Sequence, residues 1–148
     1  MTTGTKTRPE TGYTETRNRS FNRQEFLSDV ITTAFEGGIG YWAQAGEYKW
    51  WSPTLDGGTA EHLYGQPNAY GVIWDGDSEL WYTIDVDKVA SAIKRIVDRD
   101  VPDSEVHLAE GYRDLVRIAD AENDAGEIDA DAADWIVQVA CFGEVVYG

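Results

Sequence analysis

The stretch YGVIWDGDSELWYTI, residues 70–84, decides the fold because its pattern is that of one β-hairpin. Large apolar side chains recur at every second position on both arms, as is typical of half-buried strands: Tyr70, Val72, Trp74, Leu80, Tyr82 and Ile84. Between the arms, residues 75–78 (DGDS) are types that favour a tight turn. Aromatic pairs across the two strands would further stabilise this hairpin.

A third strand is predicted upstream, over residues 47–51, so that the sheet has about three antiparallel strands. A helix comes before these strands and further helices come after them. This order predicts an α+β fold, in which about four helices cover a small antiparallel sheet. Residues 21–148 are expected to form this single globular domain.

The first two helices are predicted from apolar periodicity and from their end signals. The first begins near Asn22, which forms a capping box with Glu25, and it ends at Gly37 and Gly38. The second follows the hairpin directly, with Asp85 as its N-cap residue.

Two more helices are predicted in the C-terminal part of the chain. The third covers about residues 105–122, and the fourth is capped by Asp129 or Asp131 and ends near Phe142 and Gly143. The final residues VVYG are expected to lie as a short extended piece against the sheet.

Charge is distributed unevenly along the 148 residues, whose formal net charge is −15. Residues 1–23 carry a net +3 and the remaining residues carry −18. Such an acidic body repels a phosphate backbone, so direct binding of nucleic acid is not expected. Residues 1–20 are polar and lack a hydrophobic period, which predicts a disordered arm. The lone Cys141 and the lack of a long apolar run predict a cytoplasmic protein without a membrane span.

Several familiar chemistries do not fit the residue spacing, and no catalytic residue, metal site or cofactor is predicted. An EF-hand loop centred on Gly126 would place alanines at three positions that need oxygen ligands. The two histidines, His62 and His107, belong to no metal-binding motif, and Cys141 lies in an apolar helix pattern typical of an inert buried thiol. The GGIG stretch at 37–40 follows a helix, where the dipole is negative, which argues against a phosphate loop unless these residues begin a further helical turn through Tyr41 and Trp42.

The strongest functional signal is the aromatic stretch FEGGIGYWAQAGEYKWW at residues 35–51. Neighbouring residues of a strand point to opposite faces, so Trp50 and Trp51 cannot both enter one core. The outward rings could cover the second sheet face, form a homo-oligomer contact, or stack on a planar ligand. The predicted ligand-binding residues are Gly37, Gly38, Gly40, Tyr41, Trp42, Lys49, Trp50 and Trp51. A multiply charged phosphate ligand would also require Lys49 or the arginines of the arm to gather at the site.

Two stretches, residues 25–44 and 131–148, together resemble a family of small acidic proteins of actinobacteria and their bacteriophages. In that family an EGG-x-x-YW motif after the first helix accompanies an FGE-[IV]-VYG ending, as EGGIGYW and FGEVVYG do here. The resemblance covers about a third of the chain and carries no catalytic residue. It implies an actinobacterial or phage origin, and the cytoplasm of the host cell if the protein is phage-encoded.

Three functions fit the sequence. The first is a non-enzymatic binding protein, such as a phage-encoded inhibitor or sponge that acts on a host defence component and takes a nucleotide-like planar molecule. The second is an acidic inhibitor that imitates DNA and blocks a host nucleic-acid-binding protein, using the acids from Asp98 onward. The third is a small enzyme or an oligomeric structural protein.

Overall fold

The sheet has the three antiparallel strands that the sequence predicts. The computed structural model describes residues 4–17, 19–50 and 67–148. Within them, β1 (Ala43–Lys49), β2 (Tyr70–Asp75) and β3 (Leu80–Asp85) lie in the order β1-β2-β3. Helices cover one face of this sheet, which confirms the predicted α+β class. Trp51 and His62, which figured in the sequence predictions, lie outside the described residues.

The predicted hairpin is confirmed over residues 70–85. Tyr70 pairs with Asp85 and Asp75 pairs with Leu80, which places Trp74 opposite Trp81. The turn is held by the Asp75 carboxylate, which accepts hydrogen bonds from the Asp77 amide (3.2 Å) and the Ser78 hydroxyl (2.8 Å). These local bonds explain why the turn could be predicted from residue types alone.

Strand β1 begins four residues earlier than predicted, at Ala43 rather than Glu47. Its register against β2 shifts between Ala45 and Glu47, which marks a bulge around Gly46. The bulge interrupts the alternation of side chains between the two faces of the sheet. The sequence pattern therefore predicts only the part of the strand that follows the bulge.

Five α-helices occur in the described residues, and four of them are longer than ten residues: α1 (Phe21–Thr33), α2 (Val86–Val97), α3 (Asp103–Val106), α4 (Glu110–Glu122) and α5 (Ala130–Phe142). The predicted caps Asp85 and Asp129 are confirmed, since each carboxylate accepts a backbone N–H of its helix's first turn. The capping box at Asn22 is wrong. Ser20 caps α1 instead, because its hydroxyl accepts the Arg23 amide at 3.3 Å.

Two further differences concern helix ends. The third predicted helix is two helices, α3 and α4, because His107 takes a left-handed conformation (φ 53°) between them. Helix α1 does not stop at Gly37 but continues into a π-helical turn, Ala34–Gly38. Gly38 then packs on α5, where a Cβ atom would lie 2.6 Å from the Ala130 carbonyl oxygen. Glycine serves close packing here as well as helix termination.

The main core lies between the sheet and helices α1, α2 and α5. Ile73, Tyr82 and Ile84 enter it from the sheet, and Leu27, Val30, Ile93, Ile96, Ile136 and Val137 enter it from the helices, all nearly inaccessible to solvent. Burial of this apolar surface is the main stabilising contribution to the fold.

The N-terminal segment, residues 4–14, covers the other face of the sheet, although the sequence predicts a disordered arm. The Thr5 backbone pairs with Trp81 on the edge of β3, at 2.8 and 2.7 Å. Further along, the Glu47 carboxylate accepts the Gly12 amide at 2.9 Å. A Cβ atom on Gly12 would lie 2.2 Å from the Gly71 carbonyl oxygen, so only glycine allows this approach. These contacts are long-range, and a polar segment gives no periodicity that would reveal them.

Candidate functional site

The Tyr41 and Trp42 side chains, which are predicted to bind a ligand, both donate hydrogen bonds to Asp134 of helix α5. The Tyr41 hydroxyl donates to one carboxylate oxygen at 2.6 Å, and the Trp42 indole N–H donates to the other at 2.7 Å. Asp134 is 5% exposed, so both donors compensate a buried charge. Although 61% of Tyr41 is exposed, burial of its hydroxyl, and then the Asp134 hydrogen bond, raise the pKa of Tyr41 to about 12.

The C-terminal tail closes over the same place. Tyr147 stacks on Trp42, with ring centroids 5.3 Å apart and planes inclined by 15°. The buried Gln138 side chain accepts the amides of Val146 (2.7 Å) and Tyr147 (2.8 Å). The Tyr147 hydroxyl reaches Asp75 at the end of β2. The YW and VYG motifs therefore meet in space and fix the tail, which accounts for both motifs structurally.

The other predicted residues are spread around this part of the fold. Gly37 is exposed near the N-terminus of α5, Gly38 is buried against that helix, and Gly40 is exposed. Lys49 is exposed at the far end of β1, roughly 20 Å from Trp42 along the strand. Trp50 is half-buried and packs against the core. The structure brings Tyr41 and Trp42 together but does not bring Lys49 to them.

The N-terminal segment covers Trp81, one of the two outward-facing tryptophans of the hairpin. Trp74 and Trp81 contact each other with centroids 5.1 Å apart. The Arg8 guanidinium lies 5.3 Å from the centre of the Trp81 ring and donates to the Gly46 carbonyl at 2.6 Å. A cation–π contact of this kind stabilises an exposed aromatic face. Of the three roles considered for outward rings, cover of the second sheet face is the one that these contacts support here.

A cleft of about 620 Å³ gathers the arginines that precede and begin helix α1. We call it the arginine cleft; its lining residues are Arg17, Arg19, Arg23, Asp87, Ala90, Ser91, Lys94, Val97 and Asp120. The exposed side of α2 forms its floor, and the end of α4 closes one side. Four cations face two carboxylates, which is a local positive charge on a chain of net charge −15.

Two of these arginines are held in place by the carboxylates. Arg19 lies 2.5 Å from Asp87, and the Arg19 side chain is only 8% exposed. Arg23 lies 2.5 Å from Asp120 and also donates to the Asn123 side chain at 2.9 Å. Their orientation is therefore fixed before any ligand arrives, which lowers the entropy cost of binding.

The remaining two cations of the arginine cleft, Arg17 and Lys94, are exposed. Within the described ranges, neither side chain forms an ion pair with a carboxylate. Two fixed guanidiniums with two uncompensated cations beside them are an arrangement suited to a multiply charged anion. The only sequence signal for this cleft is the net +3 of residues 1–23.

A second cavity of about 340 Å³ lies beside the arginine cleft, and we call it the α2–α5 cavity. Its lining residues are Thr14, Asp85, Asp87, Lys88, Ser91, Ala92, Arg95, Val139 and Ala140. The Lys88 ammonium donates to the Thr83 carbonyl at 3.1 Å and also contacts the Thr83 hydroxyl. Burial lowers the pKa of Lys88, and the nearby Asp85 carboxylate partly offsets that effect.

A third, smaller cavity of about 240 Å³ lies between α4, α5 and the tail. Tyr112 and Trp135 line it, with ring centroids 4.7 Å apart. Across residues 4–17, 19–50 and 67–148, no three His, Cys, Asp or Glu side chains are placed to hold a metal ion. In the same residues, no helix has both the length and the apolar character needed to cross a bilayer.

Comparison of the chain with protein-family models, with curated proteins and with solved structures finds no match.

Proposed function

We propose that this chain is a small non-enzymatic binding protein of the cytoplasm that holds a phosphate-bearing, nucleotide-like small molecule in the arginine cleft. The observation that carries the proposal is the grouping of Arg17, Arg19, Arg23 and Lys94 around one cleft of an otherwise acidic protein. If the chain is phage-encoded, which is one of the two origins that its resemblance implies, binding would withdraw such a molecule from a host defence system.

Phosphate is the ligand group that this cleft suits best. Guanidinium groups match the geometry of phosphate oxygens and form charge-assisted hydrogen bonds with them, and an ammonium adds a point charge. The acidic body around the cleft disfavours a long polyanion, which would meet carboxylates beyond the cleft. The ligand is therefore a small molecule with one or two phosphate groups rather than a nucleic acid.

A binding role also agrees with the state of Cys141, the one thiol of the chain. This residue is 4% exposed, and burial raises the pKa of its thiol. A buried, protonated thiol is a poor nucleophile. Cys141 therefore acts as a core residue.

Calorimetric titration with pyrophosphate at low ionic strength tests the proposal. We expect saturable binding that weakens as salt is added, because exposed charges are screened. Arg17→Ala and Lys94→Ala should each weaken binding about tenfold, since each removes one charge-assisted contact. Arg99→Ala is the matched control: its side chain is 73% exposed and pairs with Glu110, away from the arginine cleft. Equal effects of all three substitutions, or no binding by the unchanged protein, would contradict the proposal.

A second candidate, the DNA-mimic inhibitor, is favoured by one observation in the acid-rich part of the chain. Ten acidic residues between positions 98 and 131 are exposed. Arg113, by contrast, is 1% exposed and donates to the backbone carbonyls of Ile96, Asp98 and Val101. Arg113 therefore turns inward and only Arg99 among the bases of this part is largely exposed, whereas these ten acids face solvent, so that negative charge predominates here.

Competition with DNA distinguishes this second candidate. A DNA mimic should retain basic DNA-binding proteins from a host lysate at low salt and should release them when duplex DNA is added. Retention that added DNA does not reduce, or no retention at low salt, would exclude DNA mimicry.

A further inference from the structure

The arginine cleft and the α2–α5 cavity are neighbours along one helix. Asp87 and Ser91 of α2 line both of them, one helical turn apart on the same face. The Asp87 carboxylate is compensated by Arg19 at 2.5 Å, so the boundary between the two spaces does not present an unpaired negative charge. A ligand can therefore extend from one space into the other across Ser91, which is exposed.

The two spaces differ in chemistry. The arginine cleft is rich in cations, whereas the α2–α5 cavity has an apolar wall made by Ala92, Val139 and Ala140. Its charged residues balance, with two carboxylates and two cations. A volume of about 340 Å³ lies at the lower end of the range typical of small-molecule pockets. The α2–α5 cavity therefore offers a compact organic group an apolar surface and a few polar partners.

Resting on the function proposed above, we propose that the two spaces form one bipartite site for a phosphate monoester with a compact aromatic group. The phosphate lies in the arginine cleft, and the ring lies in the α2–α5 cavity against Ala92, Val139 and Ala140. Lys88 and Asp85 stand at the edge of the ring position, where they recognise its polar substituents. The sequence predicts that Tyr41, Trp42, Trp50 and Trp51 stack on a planar ligand, whereas in this proposal the ring packs on the aliphatic wall formed by α2 and α5.

Two ligands that differ only in the ring separate this inference from the function on which it rests. Inorganic phosphate and phenyl phosphate are titrated into the unchanged protein under identical conditions. Burial of the ring should make phenyl phosphate bind at least about tenfold more tightly than phosphate. If phosphate binds but phenyl phosphate binds no more tightly, the bipartite site is overturned and the proposed function still stands. No binding of either ligand would overturn both.

A substitution in the cavity wall locates the ring. Ala92→Leu fills space in the α2–α5 cavity, and it should remove most of the gain from the ring while phosphate affinity stays within about twofold. Ala92 is 3% exposed, so Ser91→Leu, at an exposed position between the two spaces, provides a second variant if the first does not fold. Because Ser91 also lines the arginine cleft, the quantity compared for this variant is the ratio of phenyl phosphate affinity to phosphate affinity, which should fall toward one. If phenyl phosphate still binds more tightly than phosphate after this cavity is filled, the inference is overturned, because the ring would then bind elsewhere.

Discussion

Replacement of Tyr147 by phenylalanine tests the contacts that hold the C-terminal tail. The hydroxyl lies 2.9 and 3.0 Å from the two oxygens of Asp75, which is 1% exposed. The Tyr147→Phe variant keeps the ring that stacks on Trp42 and removes only this donor. Asp75 retains the Ser78 hydroxyl and the Asp77 amide. Loss of one hydrogen bond to a buried charge should lower the free energy of unfolding by about 1.5–3 kcal/mol.

The effect should depend on pH in a direction that follows from the tyrosine's ionisation. Burial, and then the bond to Asp75, raise the pKa of Tyr147 above its ordinary value of 10.0. The unfolded chain therefore releases this proton at a lower pH than the folded protein does. The stabilising contribution of the hydroxyl is fully present below pH 10 and is lost as pH rises above it. The difference between wild type and Tyr147→Phe should accordingly become smaller above pH 10.

Urea unfolding followed by far-ultraviolet circular dichroism at pH 7 and at pH 10.5 measures both quantities. Tyr112→Phe is the control, because Tyr112 is 54% exposed and its loss of a hydroxyl should change stability by less than about 0.5 kcal/mol. If Tyr147→Phe behaves like this control at pH 7, or if its effect grows at alkaline pH, the proposed hydrogen bond to Asp75 is refuted.

A glycine substitution tests the contacts of the N-terminal segment, and a thiol reagent tests the burial of Cys141 in the core. Gly12→Ala should release residues 4–14 from the sheet, since its Cβ would clash with Gly71, and amide exchange at Thr5 should become much faster. Gly40→Ala is the control, as nothing lies within 4 Å of its Cβ position, and equal exchange in both variants would refute the clash. Cys141 should react with a thiol reagent only after unfolding, because it is 4% exposed; rapid reaction under native conditions would place it at the surface.

The features predicted correctly from sequence are those set by residues close together in the chain. The turn after Asp75, the cap at Asp85 and the glycine end of α5 at Gly143 each depend on contacts within a few residues. The errors arise where local signals do not decide. Ser20 and Asn22 are both residue types that cap helices, and the pattern alone does not choose between them. Helix α3 ends at Val106, and the chain turns at His107 between Val106 and Leu108, which are both buried in the core.

The candidate site was much less accessible to sequence reasoning. Alternation correctly indicated that some aromatic rings face away from the helices, and Trp74 and Trp81 do. It could not indicate that Arg8, more than sixty residues before these rings, lies over one of them. Lys94 comes close to Arg17, Arg19 and Arg23 only in the folded chain, so no local sequence motif indicates the arginine cleft.

The central claim is that a phosphate-bearing ligand binds in the arginine cleft. Amide chemical-shift mapping by two-dimensional NMR, with pyrophosphate added at low salt, tests it most directly. We expect saturable shifts confined to residues 17–23, the exposed face of α2 and the end of α4 near Asp120. Saturable shifts centred on residues 37–50 instead, or no shifts at millimolar pyrophosphate, would contradict the claim.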